Sequence, residues 1–101
     1  YQEIAAHREY SGLRYPVSYW RTTSQLEVDF ILGDHQTAVE VKGTEQAAER
    51  HLKGLKAFRE EYPTRHAIVV SLDPRPRVVE GISILPWAVF LERLWAGKIV
   101  S

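Results

Sequence analysis

The chain has 101 residues, which is enough for one compact domain with a single core and too few for two. Thirteen basic and thirteen acidic residues leave no formal net charge, so the surface as a whole is not an electrostatic trap for nucleic acid. The lack of cysteine excludes disulfide scaffolds, thiolate zinc sites and thiol catalysis. No apolar run approaches the ~20 residues of a membrane-spanning helix. We therefore expect one soluble, cytoplasmic domain over residues 1–101. Because the sequence lacks methionine, we expect this domain to be a fragment of a longer chain.

The first half of the chain is predicted to form a helix and three strands. Residues 1–10 are typical of a helix that ends at Ser11-Gly12. The aromatic and β-branched segment 17–21 indicates a strand. Segments 26–32 and 37–42 alternate between polar and apolar residues, which predicts two further strands joined as a hairpin by a four-residue loop.

The second half alternates between helices and strands. Apolar residues at helical spacing predict an amphipathic helix over 45–61, and Gly54 within it indicates a close approach to the sheet. The apolar run 67–72 predicts a strand covered on both faces, followed by a short strand at 81–85 and a helix over 87–95. A strand–helix–strand succession makes a parallel pair, so the sequence predicts a mixed α/β sheet in the order α-β-β-β-α-β-β-α.

The predicted hairpin brings acidic residues together. If Leu32 pairs with Thr37, Asp29 lies opposite Glu40 with the Cβ atoms ~4.5–5.5 Å apart. Period-two alternation then predicts a polar face and an apolar core face. The polar face would carry Glu27, Asp29, Glu40 and Lys42, and the core face Val28, Phe30, Leu32, Val39 and Val41.

Two readings of that polar face are open. In the first interpretation the face is a metal site: the opposed carboxylates repel each other, and a hard divalent cation such as Mg²⁺ would remove the repulsion. A neighbouring lysine could then act on a phosphate or on a metal-bound water. Alternatively, the face is an ordinary solvated surface on which Glu27 pairs with Lys42. Periodicity alone favours the solvated surface, whereas an aspartate inside a strand favours the site.

The ordered motifs of the chain resemble a known nuclease superfamily. The segments Glu27-Val28-Asp29-Phe30-Ile31 and Ala38-Val39-Glu40-Val41-Lys42 resemble the PD-(D/E)XK pattern. The chain is more closely similar to the C-terminal nuclease-like domain of prokaryotic AAA+ ATPases. That similarity extends to four further segments, Tyr19-Trp20-Arg21, Leu52-Lys53-Gly54-Leu55-Lys56, Ile84-Leu85-Pro86 and Phe90-Leu91.

The resemblance implies a restriction-endonuclease-like fold and a site within the hairpin. Asp29 and Glu40 match the metal-binding acids, the carbonyl of Val41 matches a further ligand of Mg²⁺ or Mn²⁺, and Lys42 matches the catalytic lysine. Glu3 matches an acid that some branches carry in the first helix. The implied partners are nucleic acid and an upstream AAA+ ATPase domain.

Two functions follow as alternatives. The first is a metal-dependent phosphodiesterase or nuclease-like domain, and the second is a catalytically inactive domain that regulates or targets the ATPase. The sequence has no G-x-x-x-x-G-K-[ST] phosphate loop, so ATPase activity is expected outside these residues. The four histidines show no ligand spacing, so surface or structural positions are favoured over a zinc site: His7, His35, His51 and His66. Arg75 and Arg77 lie between and after prolines, and an exposed extended loop is favoured over a phosphate contact. Four aromatic residues could stack on bases, but their spacing favours the core: Tyr19, Trp20, Trp87 and Trp95.

Overall fold

A computed structural model describes residues 4, 6, 17–21, 26–33, 36–44 and 49–99. The described strands are β1 (Val17–Arg21), β2 (Glu27–Leu32), β3 (Thr37–Val41), β4 (His66–Ser71), β5 (Arg77–Val79) and β6 (Ile82–Pro86). A 3-10 turn, Glu49–Leu52, leads into helix α1 (Lys53–Glu61), and helix α2 (Trp87–Trp95) follows β6. Ile4 and Ala6 are helical, as predicted for residues 1–10, but Glu3 and Gly12 lie outside the described residues. No described helix is long and apolar enough to cross a bilayer.

The strands form one mixed sheet in the order β1-β2-β3-β4-β6-β5. The first three strands pair antiparallel, β4 pairs parallel with both β3 and β6, and β5 returns antiparallel along β6. The predicted parallel crossover and the mixed α/β class are therefore confirmed. The carboxyl ends of β3, β4 and β6 consequently meet at one edge of the sheet.

A hydrophobic core lies on each face of the sheet. The α1-side core is built from Val28, Ile31, Ala38, Leu52, Leu55, Phe58, Ala67, Val69, Ile82 and Ile84. The α2-side core contains Ile4, Leu32, Val39, Ile68, Val70, Leu85, Phe90, Leu94 and Ile99. Strand β4 contributes to both cores and is buried over residues 67–71, which confirms the prediction that it is covered on both faces.

The predicted single core face of the hairpin is wrong, because β2 contains a bulge. Ser18 pairs with Ile31 and Trp20 pairs with Val28, so two residues of β2 oppose one residue of β1. A bulge reverses the alternation of side chains beyond it. Val28 therefore joins Ile31 in the α1-side core instead of sharing a face with Leu32. Val41, the other predicted core residue that departs from the pattern, is 42% exposed at the end of β3.

Strand β5 and several aromatic side chains also differ from prediction. The sequence predicts an extended loop over 73–77 and no strand before 81, whereas β5 begins at Arg77, directly after the prolines, and its residues are largely exposed. The strand forms because Glu80 and Gly81 adopt positive φ angles, 50° and 80°, and turn it tightly onto β6. Three aromatic residues predicted to be in the core are exposed: Tyr19, Trp87 and Trp95.

Helix α1 approaches the sheet at Gly54, as predicted. A Cβ atom on Gly54 would lie 2.2 Å from the carbonyl oxygen of Glu27, so only glycine fits this contact. The α-helix is shorter than the predicted 45–61, because 49–52 form a 3-10 turn and 45–48 lie outside the described residues. The close contact fixes the start of α1 beside β2, next to the hairpin's acidic residues.

Candidate functional site

The hairpin has the predicted register. Leu32 pairs with Thr37, and Phe30 pairs with Val39. Continuing this register by one pair brings Asp29 opposite Glu40. The two acids predicted to form the site are thus neighbours at the open end of the β2–β3 ladder.

The bulge in β2 directs Asp29 toward the backbone of β3. Asp29 and Phe30 are the two β2 residues that oppose Tyr19 alone. The Val41 amide donates a hydrogen bond to Asp29 Oδ2 at 2.8 Å. The amide of Lys42 points the other way and donates to the Val70 carbonyl of β4, at 2.9 Å. Successive amides of a strand point to opposite neighbouring strands, so the Val41 amide faces β2 and the Lys42 amide faces β4. The β2–β3 ladder has ended at Val41, and the Asp29 carboxylate accepts the hydrogen bond that a β2 carbonyl would otherwise accept.

Glu40 is a buried acid with an incomplete set of partners. Its residue surface is only 3% exposed, and its Oε1 atom has no hydrogen-bond partner among the described residues. Its Oε2 atom lies 3.8 Å from Lys42 Nζ, at the outer limit of an ion pair. A buried carboxylate with one orphan oxygen is costly unless a proton or a cation compensates it.

The electrostatic environment favours a proton on Glu40. The pKa of Glu40 is raised from 4.5 to about 8, chiefly by burial and further by the hydrogen bond and the negative charge of the Asp29 carboxyl. The positive charge of Lys42 and a hydrogen bond with the Asp29 backbone lower the pKa of Glu40, but by less than the other causes raise it. Two ionised carboxylates only accept hydrogen bonds, so a hydrogen bond between Glu40 and Asp29 requires a proton on one of them.

Glu27 does not join the other predicted polar residues. It is exposed and pairs with Arg21 of the neighbouring strand at 3.3 Å, not with Lys42. Lys42 instead contacts Glu40 two residues away. The structure therefore brings together Asp29, Glu40 and Lys42, and leaves Glu27 on a surface ion pair.

The donor set around Glu40 fits a hard divalent cation. In an extended strand the amide and carbonyl of one residue face the same neighbour, so the Val41 carbonyl faces β2, as its amide does toward Asp29. Two carboxylates and a backbone carbonyl are all-oxygen ligands of the kind Mg²⁺ takes together with water. Within the described ranges no three His, Cys, Asp or Glu side chains are grouped so that they could hold a metal ion. A cation bound by the two carboxylates and the carbonyl would therefore need water molecules as its remaining ligands.

Sequence reasoning missed a second polar cluster at the same edge of the sheet. Ser71 ends β4, and its hydroxyl donates to Asp73 Oδ2. The Asp73 amide returns a hydrogen bond to the Ser71 hydroxyl oxygen at 3.1 Å, and Arg77 Nη2 donates to Asp73 Oδ1 at 3.3 Å. The sequence feature that could have revealed this cluster is Asp73, two residues beyond a buried parallel strand, because ligand sites of α/β sheets lie at the carboxyl ends of such strands.

Comparison with known proteins identifies a family. No curated protein and no solved structure gave a significant match. Residues 1–90 match the family described as "Domain of unknown function (DUF4143)", a domain often found with AAA ATPases. Because the match covers most of the chain, the protein belongs to the DUF4143 family.

Proposed function

We propose that this domain is a metal-dependent phosphodiesterase of the PD-(D/E)XK type, with a restriction-endonuclease-like fold, acting on nucleic acid in the cytoplasm beside an AAA+ ATPase. The observation that carries the proposal is the buried Glu40 carboxyl, which has one oxygen without a hydrogen-bond partner among the described residues and interacts with Asp29 and Lys42. A surface ion pair would need neither the burial nor the second acid.

The raised pKa of Glu40 supports a cation site. Without a metal, a proton on Glu40 offsets the repulsion from Asp29. A divalent cation bound by Asp29, Glu40 and the Val41 carbonyl would take the place of that proton. Bound Mg²⁺ or Mn²⁺ supplies charge stabilisation and an activated water for phosphodiester hydrolysis.

Lys42 has the position expected of a phosphate-binding amine. It directly follows β3, and its side chain is 34% exposed, so its ammonium group reaches solvent while touching Glu40. An ammonium group acts as a compact charge toward a phosphate oxygen. Its role in this proposal is to hold the reacting phosphate against the acids.

The second candidate is a catalytically inactive domain that binds the ATPase. Exposed apolar residues at the carboxyl ends of the parallel strands favour it: Val41 after Glu40, Leu72 after β4 and Trp87 after β6 are 42%, 59% and 41% exposed. Exposed apolar residues gathered at one edge are typical of an interaction surface.

A cleavage assay distinguishes the two candidates. Single-stranded, duplex and branched DNA, and RNA, are incubated with the protein in Mg²⁺, Mn²⁺ or EDTA. The near-isosteric variants Asp29→Asn, Glu40→Gln and Lys42→Met test the site. Glu27→Gln and Lys53→Met are matched controls, because both residues are exposed and neither contacts Glu40.

If the proposal is right, the wild type cleaves nucleic acid only in the presence of metal. The rate of cleavage falls by at least about a hundredfold in the three site variants and is unchanged in the two controls. Cleavage that persists in the site variants comes from a contaminant. Absence of cleavage together with absence of Mn²⁺ binding, measured by calorimetry, rejects the phosphodiesterase and leaves the interaction domain.

A further inference from the structure

Arg77 is held in place by a buried acid that the proposed chemistry does not use. The Asp73 carboxylate is 5% exposed and accepts hydrogen bonds from Ser71 on one oxygen and from Arg77 on the other. The Arg77 side chain is 39% exposed.

The sheet register places Arg77 on the same face as Glu40. Glu40 pairs with Val69, Val69 with Ile84, and Ile84 with Arg77. Directly paired residues project to the same face of a sheet. Arg77 and Glu40 therefore share the α1 side of the sheet at the same height, three strand spacings or roughly 14 Å apart.

The Asp73–Arg77 pair lies toward the edge that carries Lys42. Continuing the β3–β4 register by one pair brings Lys42 beside Ser71, the residue that hydrogen bonds to Asp73. His51 lies in the 3-10 turn before α1, and the charges of Lys42 and Asp73 both act on the pKa of its imidazole, Lys42 lowering it and Asp73 raising it. Lys42 and Arg77 thus lie on either side of β4 at this edge of the sheet.

We propose that Arg77, oriented by Asp73, binds a backbone phosphate of the nucleic acid other than the phosphate held at Lys42. This inference rests on the proposed function and extends it. The backbone positions of Arg77 and Glu40 are separated by roughly 14 Å, more than the span of one phosphate group, so we assign Arg77 to a phosphate other than the one at the acids. The substrate is consequently a polynucleotide, not an isolated diester.

The planar shape of the guanidinium group explains why Arg77 occurs together with a carboxylate that holds it in one orientation. Arginine binds phosphate through two parallel N–H groups, and this geometry needs an oriented fork. Asp73 supplies the orientation, since its own second oxygen is fixed by Ser71. Arg75 is exposed and lies between Pro74 and Pro76 in the loop before β5, so Arg75→Ala is a matched control for the loss of one positive charge nearby.

The test is equilibrium binding of a fluorescein-labelled 12-nucleotide single-stranded DNA, measured by anisotropy in EDTA at several salt concentrations. Arg77→Ala is expected to weaken binding about fivefold to tenfold and to reduce the slope of log affinity against log salt by about one. Arg75→Ala is expected to change affinity less than twofold. Arg77→Lys should recover the salt slope but only part of the affinity, because it keeps the charge and loses the fork.

Urea unfolding of each variant separates a structural role from a binding role. The inference is overturned if Arg77→Ala lowers stability but leaves the affinity of the folded protein unchanged, if Arg75→Ala weakens binding equally, or if the wild type does not bind the DNA at low salt. Because this binding needs neither metal nor turnover, it is read independently of cleavage. Cleavage that depends on Asp29 with no effect of Arg77→Ala on KM would retain the proposed function and reject the Arg77 subsite.

Discussion

The Val41 amide donates a 2.8 Å hydrogen bond to the Asp29 carboxylate, and this contact links the bulge of β2 to the last residue of β3. It fixes the acid in the plane of the sheet, directly beside Glu40. Asp29 thereby satisfies a backbone donor and raises the pKa of its neighbour at the same time. The local backbone and the electrostatics of the candidate site are therefore coupled through one side chain.

The contribution of Glu40 to the stability of the metal-free protein should fall as pH rises from about 4.5 to about 8. The pKa of Glu40 is about 8 in the folded protein against 4.5 as its ordinary value, so the folded state binds more protons in this interval. Stability then decreases with pH by at most about 1.4 kcal/mol per unit. Urea unfolding in EDTA at pH 5.5, 6.5, 7.5 and 8.5 measures the slope.

Glu40→Gln should abolish that contribution, whereas Glu60→Gln, an exposed glutamate of α1, should retain it. The pKa values of His51 and His66 are lowered, chiefly by burial, and contribute a slope of opposite sign. The informative quantity is thus the difference between wild type and Glu40→Gln. Identical slopes in the two proteins would show that Glu40 titrates normally.

Binding of Mn²⁺ should release a proton near neutral pH. With a pKa of about 8, Glu40 is about 90% protonated at pH 7, and a metal ligand must be ionised. We expect release of about 0.9 proton per Mn²⁺ at pH 7 and about 0.1 at pH 9. Titration calorimetry in buffers of different ionisation enthalpy counts these protons. Tight Mn²⁺ binding without proton release would place the ion away from Glu40.

Asp29→Asn should lower the pKa of Glu40 without returning it to 4.5. The substitution removes the negative charge but keeps an oxygen that can accept from the Val41 amide. Burial is the largest cause of the raised pKa and is unchanged. Carboxyl ¹³C NMR titration measures the shift, with Glu27→Gln as the control on the same strand. An unchanged pKa of Glu40 in Asp29→Asn would contradict the coupling between the two acids.

Gly54→Ala should destabilise the fold by about 2–4 kcal/mol, because the new Cβ atom would overlap the backbone carbonyl of Glu27. Gly43→Ala is the matched control, since nothing lies within 4 Å of a Cβ atom at that position. Urea unfolding gives both values. Equal stabilities of the two variants would mean that α1 lies farther from β2 than described.

The pairing of the hairpin and the order of the elements other than β5 followed from local pattern. A loop of four residues between alternating segments fixed Leu32 against Thr37, and that register placed Asp29 beside Glu40. The helix over Trp87–Trp95 matched its prediction because Pro86 marks its start and Phe90 and Leu94 recur at helical spacing. Gly54 correctly predicted the close approach of α1 to the sheet. A glycine inside a helix lowers the stability of the helix, so its presence there indicates that a larger side chain would not fit.

Other features depended on contacts between segments distant in sequence. The bulge that moves Val28 into the α1-side core arises from pairing with β1, and no local pattern within 26–32 encodes it. Short exposed strands such as β5 form only because β6 offers an edge. The exposure of Trp95 likewise depends on which side of α2 meets the sheet.

The amino-acid sequence by itself determined the α/β class, the hairpin register and the proximity of two acids and a lysine, because periodicity and turn length are local properties. Tertiary structure alone decided that Glu40 is buried, that Glu27 turns to Arg21, and that Ser71, Asp73 and Arg77 gather at the same edge. Burial and the pKa it raises depend on what α1 and the parallel strands place around a side chain, and those neighbours come from the whole length of the sheet.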